Sequence, residues 1–237
     1  MLKKYVIIVA GGRGTRMNAE LPKQFLLIDQ RPVLMHTMEC FRKGSDMPDI
    51  VLVLHPDMHP YWTDLCRQYN FQIPHHVVYG GESRFQSVRN GLGYIFEKEK
   101  VALESTLIAI HDAARPVISQ ELVDRCFAET VRYGATTAAI QSTNSIRLGS
   151  IEESTATDRQ QVWMVQTPQT FRADILQKAF AQPEMGSFTD DASVVEKMGY
   201  PVRLIIGDQR NIKITFPEDI AIAHLYLKTL DTKPRLE

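Results

Sequence analysis

The chain reads as an α/β protein with a Rossmann-like, mostly parallel sheet flanked by helices. Short apolar, β-branched runs recur along it, amphipathic helical stretches separate them, and two of the runs open into paired glycines. Continuous apolar runs are the strands that a parallel sheet buries on both faces, and their alternation with helices marks βαβ units. At 237 residues, with 44% hydrophobic and 23% charged side chains, the length suits one domain, residues 1–237, with a sizeable core. A net charge of -1 supplies no global field for nucleic acid or a membrane surface, so any phosphate recognition must be local. Cys40, Cys66 and Cys126 show no CxxC or Cys/His spacing, which points to a reducing cytoplasm and no structural zinc. The apolar N-terminal run is too short for a signal peptide or a membrane span.

The first element is the run Tyr5–Ala10, a buried strand that opens into Gly11, Gly12 and Gly14. Lacking Cβ, such residues let backbone N–H groups close on a phosphate. Arg13, Arg16 and Lys23 follow, and Pro22 fixes the backbone just before Lys23. The spacing is not the dinucleotide fingerprint, because Met17 stands where a third glycine belongs. Nor is it a Walker loop, since no Gly-Lys-Ser/Thr follows. A plain tight turn is the alternative reading. Residues 32–43 carry Val33, Leu34, Met38 and Phe41 at helical spacing, with His36 as a packed or capping residue. Residues 50–55 form a second strand, followed by a loop and a helix; His55 at the strand's end and His59 after it lack a third metal partner.

After Val77 and Val78 a second glycine turn, Gly80-Gly81, opens another helix. Arg84 and Ser87 share a face near its N-terminal end, where free N–H donors and partial positive charge suit a nucleotide's polar edges. Glu82 and Ser83 also serve there as caps. Residues 106–111 make a third strand, with Asp112 at its carboxyl end, where α/β sheets bind ligands. Mg2+ takes one or two carboxylates beside substrate phosphates and water, so Asp112 is the candidate metal ligand; a turn-capping aspartate is the competing reading.

Ser119 to Arg132 reads as a capped amphipathic helix and residues 135–141 as a strand. Residues 142–162 read as a β-ribbon with too few apolar residues to stand alone, so it is expected to lie on a second subunit. Residues 164–171 return to the sheet, with Pro168 closing the strand, and residues 174–181 form a helix. Thr189-Asp190-Asp191 is an N-cap with first-turn acids, and residues 202–207 form a strand. Lys213 sits between Ile212 and Ile214 on an expected short strand, and Pro217-Glu218-Asp219 opens the terminal helix.

AGGRGTRM and PKQFL resemble the opening signature of the sugar- and alcohol-phosphate nucleotidyltransferases, and PKQ narrows this toward cytidylyltransferases. With GGESRFQSV, HDAARP, TDR…W..QTPQTF, FTDDASVVE and NIKITFPEDIAIA in the family's order, residues from about 5 to 225 resemble the 2-C-methyl-D-erythritol 4-phosphate cytidylyltransferases. The resemblance implies the nucleotidyltransferase fold and the joining of CTP to that polyol phosphate with release of pyrophosphate, in isoprenoid precursor synthesis. It implies Arg16, Lys23 and Lys213 as catalytic cations and Asp112 as the ligand of Mg2+, or of Mn2+ in its place. Ala10, Gly11, Gly81, Glu82, Ser87 and Ala113 fall on positions lining the cytosine and ribose, and Gly12 and Gly14 complete the nucleotide loop.

On the acceptor side the resemblance implies Thr189 and Asp190, with Ser145 and Arg159 on an arm from the second subunit of a homodimer. One departure is Asn144-Ser145-Ile146-Arg147, where the family usually carries an Asp-Thr-x-Lys type of sequence; a hydroxyl and a charge are retained. The rival activities are a ribitol 5-phosphate cytidylyltransferase and a non-catalytic, CTP-binding regulatory module. HDAARP weighs mildly against the first, and the dense cation set with Asp112 weighs against the second.

Overall fold

A computed structural model describes residues 2–12, 21–43 and 46–230. The chain begins with β1 (Lys3–Ala10), then a small hairpin of β2 (Leu27–Ile28) and β3 (Arg31–Pro32) leading into α1 (Val33–Cys40). β4 (Asp49–Leu54), α2 (His59–Gln68), β5 (His76–Tyr79), α3 (Arg84–Glu97) and β6 (Thr106–Asp112) follow. Next come α4 (Gln120–Tyr133), β7 (Ala135–Gln141), the hairpin β8 (Ile146–Gly149) and β9 (Ser154–Thr157), and β10 (Trp163–Arg172). α5 (Ala173–Ala179), α6 (Asp191–Lys197), β11 (Arg203–Ile206) and α7 (Glu218–Thr229) complete the described elements.

Seven strands form one sheet in the order β11-β7-β10-β6-β1-β4-β5. β10 runs antiparallel to both of its neighbours, and the other pairings are parallel. The expected mostly parallel α/β sheet is therefore observed. Alternation along β1 sends Val6 and Ile8 to one face, where α1, α2, α4 and α7 pack, and Tyr5 and Ile7 to the other, where α3, α5 and α6 pack. Sequence order reverses beside β1, and the carboxyl ends of β1, β4 and β6 share the crevice there.

The helix starts follow from local chemistry. Ser83 accepts the Gln86 N–H at 3.1 Å to open α3, and Ser119 accepts the Leu122 N–H at 3.2 Å to open α4. Asp190 and Ser193 form a reciprocal capping box on α6. His36 is satisfied by the Ile28 carbonyl at 2.9 Å, as a packed histidine should be.

Two expectations fail here. Pro168 does not close a strand, because β10 runs through it to Arg172. The register slips between Val165 and Gln169, so the missing N–H falls where the ladder is already interrupted. Lys213 is not on a strand either: residues 211–215 form no ladder, and the Ile214 N–H makes a tie of 2.8 Å to the Ala114 carbonyl. β6 is flanked by β1 and β10, so no ladder position beside it remains for this segment. The ribbon expected over 142–162 appears as the β8–β9 hairpin, none of whose residues belongs to either core cluster.

Candidate active site

Above the carboxyl ends of β1, β4 and β6 lies a cavity of about 840 Å3. β1 delivers Ala10, Gly11 and Gly12 to its wall. A Cβ built on Gly12 would meet none of the described residues within 4 Å, which leaves room there for a ligand to approach the backbone. Buried Gln24 holds the turn: its amide nitrogen donates to the Ala10 carbonyl at 2.7 Å and to the Gly12 carbonyl at 3.3 Å.

The second glycine turn forms the opposite wall with Gly81, Glu82 and Ser87. The Gly81 N–H donates to Ser87 Oγ at 3.1 Å, tying the turn to the first helical turn of α3. A side chain at Gly81 would collide with the Gln86 Cβ, so the bend requires glycine.

Asp112 and Ala113 line the cavity at the end of β6. The Asp112 backbone N–H donates to Thr167 Oγ1 at 3.1 Å, and that hydroxyl meets His111 Nδ1 at 3.1 Å. Among the described residues three cations surround the carboxylate: Lys213 Nζ at 2.7 Å, Arg84 Nη2 at 3.6 Å and Arg115 Nε at 3.8 Å. Burial by itself would raise the Asp112 carboxyl, but the charges of Arg84, Lys213 and Arg115 hold it well below the usual carboxylate range. It is an ionised, hard oxygen donor at neutral pH. Behind it, burial pushes the His111 ring down to about 4, so that side chain is neutral and serves as a hydrogen-bonding brace.

Lys23 reaches the same cavity from the first loop, its ammonium donating to the Ile214 carbonyl at 2.7 Å beside Lys213. Two of the expected catalytic cations thus meet at one rim although they are far apart in sequence. Arg16 and Gly14 lie outside the described residues.

The acceptor-side residues are placed elsewhere, and none of Ser145, Arg159, Thr189 and Asp190 lines this cavity. Arg159 donates to the Thr143 carbonyl at 3.0 Å and borders a separate cavity of about 320 Å3. Ser145 is exposed just before β8. Thr189 is exposed before α6, and Asp190 is engaged by the Gln169 amide at 2.8 Å and the Ser193 N–H at 2.9 Å. Arg147 keeps its charge but spends its donors across the hairpin, on Ser154 Oγ at 2.7 Å and the Ser154 carbonyl at 2.6 Å.

The cavity therefore presents two glycine turns, an ionised carboxylate and two lysines on one wall-to-wall space, which is chemistry suited to a nucleoside triphosphate. The profile of the 2-C-methyl-D-erythritol 4-phosphate cytidylyltransferase (IspD) family matches residues 4–229. The chain belongs to that family. It is 47% identical over 226 residues to the 2-C-methyl-D-erythritol 4-phosphate cytidylyltransferase of Porphyromonas gingivalis, spanning 95% of this chain and 98% of that protein. The corresponding figures for the protein of the same name from Azobacteroides pseudotrichonymphae are 45% over 225 residues, 94% and 98%. Among solved structures, 4-diphosphocytidyl-2C-methyl-D-erythritol synthase from Anaerococcus prevotii superposes with a TM-score of 0.78 at 26% identity, covering 96% of each chain.

For this cytidylyltransferase family member, sequence reasoning missed several side chains at the site. Gln24 stands in the sequence only as part of PKQ, yet in the fold it holds the first glycine turn. Arg115, inside HDAARP, stands 3.8 Å from Asp112. Arg84 was placed near the second turn, but its bidentate pair with Asp191, at 2.6 and 2.7 Å, had no sequence signal because helix capping already accounted for that acid. Among the described residues there is no group of three or more His, Cys, Asp or Glu side chains able to hold a metal. A single carboxylate remains compatible with Mg2+ when substrate phosphates complete the shell.

Proposed function

We propose that the chain, acting as one nucleotidyltransferase unit over residues 1–237, joins CTP to 2-C-methyl-D-erythritol 4-phosphate. The products are 4-diphosphocytidyl-2-C-methyl-D-erythritol and pyrophosphate. The observation that carries this reading is the meeting of Lys23, Lys213 and Asp112 with both glycine turns around one cavity in a member of this family.

In this reading a phosphate oxygen of the acceptor attacks the α-phosphorus of CTP in line, and the bond to the β-phosphate oxygen breaks to release pyrophosphate. The attacking oxygen is already anionic at neutral pH, so no general base is needed. The barrier lies in bringing two polyanions together, and it falls through cation placement and orientation. Lys23, Lys213 and Arg16 supply that charge. Ala10, Gly11, Gly12, Gly14, Gly81, Glu82, Ser87 and Ala113 hold the nucleotide. The fit of Asp112 to Mg2+ or Mn2+ rests on its being one ionised, buried carboxylate at the cavity wall, with Lys213 Nζ on Oδ2 at 2.7 Å and Oδ1 outside hydrogen-bonding distance of Arg84. When bound there, the ion would neutralise and align the phosphates.

Thr189 and Asp190 face the acceptor, and Ser145 and Arg159 reach it from the β8–β9 arm of a second copy. Two observations support the arm's role: the hairpin has no core of its own, and Arg159 borders a polar cavity with Gln141 and Ser142. The proposed compartment is the cytoplasm, supported by cysteines scattered along the chain without CxxC or Cys/His spacing. Pyrophosphate release with CTP and either 2-C-methyl-D-erythritol 4-phosphate or ribitol 5-phosphate, at equal concentration, tests the reading. Turnover with the first acceptor is expected. Faster release with ribitol 5-phosphate, or none with either, would replace it with one of its rivals.

A further inference from the structure

Asp191 is 1% exposed, and its charge is not needed to cap α6, because Asp190 already does so through a reciprocal box. A carboxylate buried this deeply is costly to ionise: burial raises the Asp191 carboxyl above its usual range against the pull of the paired Arg84, and an apolar side chain of similar size would pack there with less penalty. Its place is rigidly set. Gln169, itself fully buried on β10, donates to Asp190 and accepts the Ala192 N–H at 2.9 Å, gripping the helix on both sides of Asp191. From that position Asp191 takes Arg84 in a bidentate pair at 2.6 and 2.7 Å. The same Arg84 Nη2 stands 3.6 Å from Asp112 Oδ1, outside hydrogen-bonding distance, while Lys213 occupies Oδ2.

We infer that Asp191 is a positioning residue that holds Arg84 off Asp112, so that one oxygen of Asp112 stays open toward a divalent cation and the nucleotide. The inference rests on the assignment of Asp112 as the metal ligand. Without the Asp191 charge, Asp112 is the carboxylate left within ion-pair distance of the Arg84 guanidinium among the described residues, nearer than the charge of Asp190 engaged by Gln169 and Ser193, and Arg84 closes the 3.6 Å gap onto it. A cation must then displace an arginine to bind. Because Asp191 directly follows Thr189 and Asp190, the same tether links the proposed acceptor loop to the helix that opens from the second glycine turn.

Mn2+ binding in the presence of CTP and without acceptor, followed by electron paramagnetic resonance, tests this without turnover. Asp191→Asn is expected to weaken Mn2+ about tenfold, a loss of about 1.4 kcal/mol. The double variant Arg84→Gln/Asp191→Asn, which removes the competing guanidinium and leaves no unpaired buried charge, is expected to regain affinity within about threefold of the parent. A purely structural role predicts the opposite order, with the double variant no better than the single one. If Asp191→Asn does not fold, the double variant decides alone: affinity well below the parent's overturns the inference. Unchanged Mn2+ binding in folded Asp191→Asn also overturns it. Asp112→Asn separates the two readings. Parental Mn2+ affinity in that variant removes the metal assignment and this inference together, whereas sensitivity to Asp112→Asn without sensitivity to Asp191→Asn removes this inference only.

Discussion

Around the cavity, charge is matched inside the chain, Asp112 with Lys213 and Asp191 with Arg84, and the Lys23 ammonium is anchored by a hydrogen bond to the Ile214 carbonyl. The β8–β9 hairpin is built differently. Leu148 is 60% and Ile151 101% exposed, and among the described residues Arg147 is engaged within the hairpin itself, by Ser154. The first region is preorganised, its charged groups braced by buried Gln24, His111, Thr167 and Gln169 before any ligand arrives. A two-stranded ribbon without a packed face draws its order from whatever it contacts. Substitutions at the cavity should therefore act on the chemical step, and substitutions on the arm on acceptor binding.

The largest expected effect comes from Asp112→Asn, which removes the counter-charge of Lys213, Arg84 and Arg115 along with the proposed metal ligand. We expect kcat for pyrophosphate release to fall on the order of 10³-fold. A variant retaining a tenth of parental kcat would show that the cavity works without this carboxylate.

The brace behind Asp112 makes the next prediction. His111 is fully buried with its ring pushed down to about 4, whereas the unfolded chain's imidazole titrates near 6.5. Between those values the unfolded state binds a proton that the native state does not. The contribution of His111 is thus fully present above about pH 6.5 and is lost as pH falls toward 4, by about 3 kcal/mol in all. Urea unfolding of the parent and of His111→Gln at several pH values measures it. Equal slopes for the two proteins across that window would contradict a neutral buried ring.

Lys23→Ala is expected to lower kcat on the order of 10²-fold, the scale for loss of one preorganised donor. Near-normal turnover would confine Lys23 to structural support of the Ile214 segment. On the arm, Arg159→Ala should raise KM for the acceptor about tenfold while KM for CTP stays unchanged, the effect of one charge-assisted contact. Equal changes in both constants would erase the distinction between the two regions.

Most strands and helix starts were legible because their causes are local. β7 runs over Ala135–Gln141 as expected, and Ser83, Ser119 and Asp190 cap their helices as side chains of their kind do. Both glycine turns and Asp112 were legible for the same reason, since a strand end and the absence of a Cβ are properties of a few adjacent residues. Pro168 and Lys213 were misread because strand membership depends on the neighbouring strand. A bulge receives the proline inside β10, and occupied flanks of β6 deny a ladder to residues 211–215.

By itself, then, the sequence determined the α/β layering, the two turns that bend around the cavity and the carboxylate at its wall, because hydrophobic period and turn chemistry act over a handful of residues. Only the tertiary structure decided how the charges are shared. Lys213 lands on Asp112, Asp191 claims Arg84 from another helix on the same face of the sheet, and Gln24 reaches back to the Ala10 carbonyl. Electrostatic pairing depends on separation in space and on burial, and neither is written in the spacing of residues along the chain.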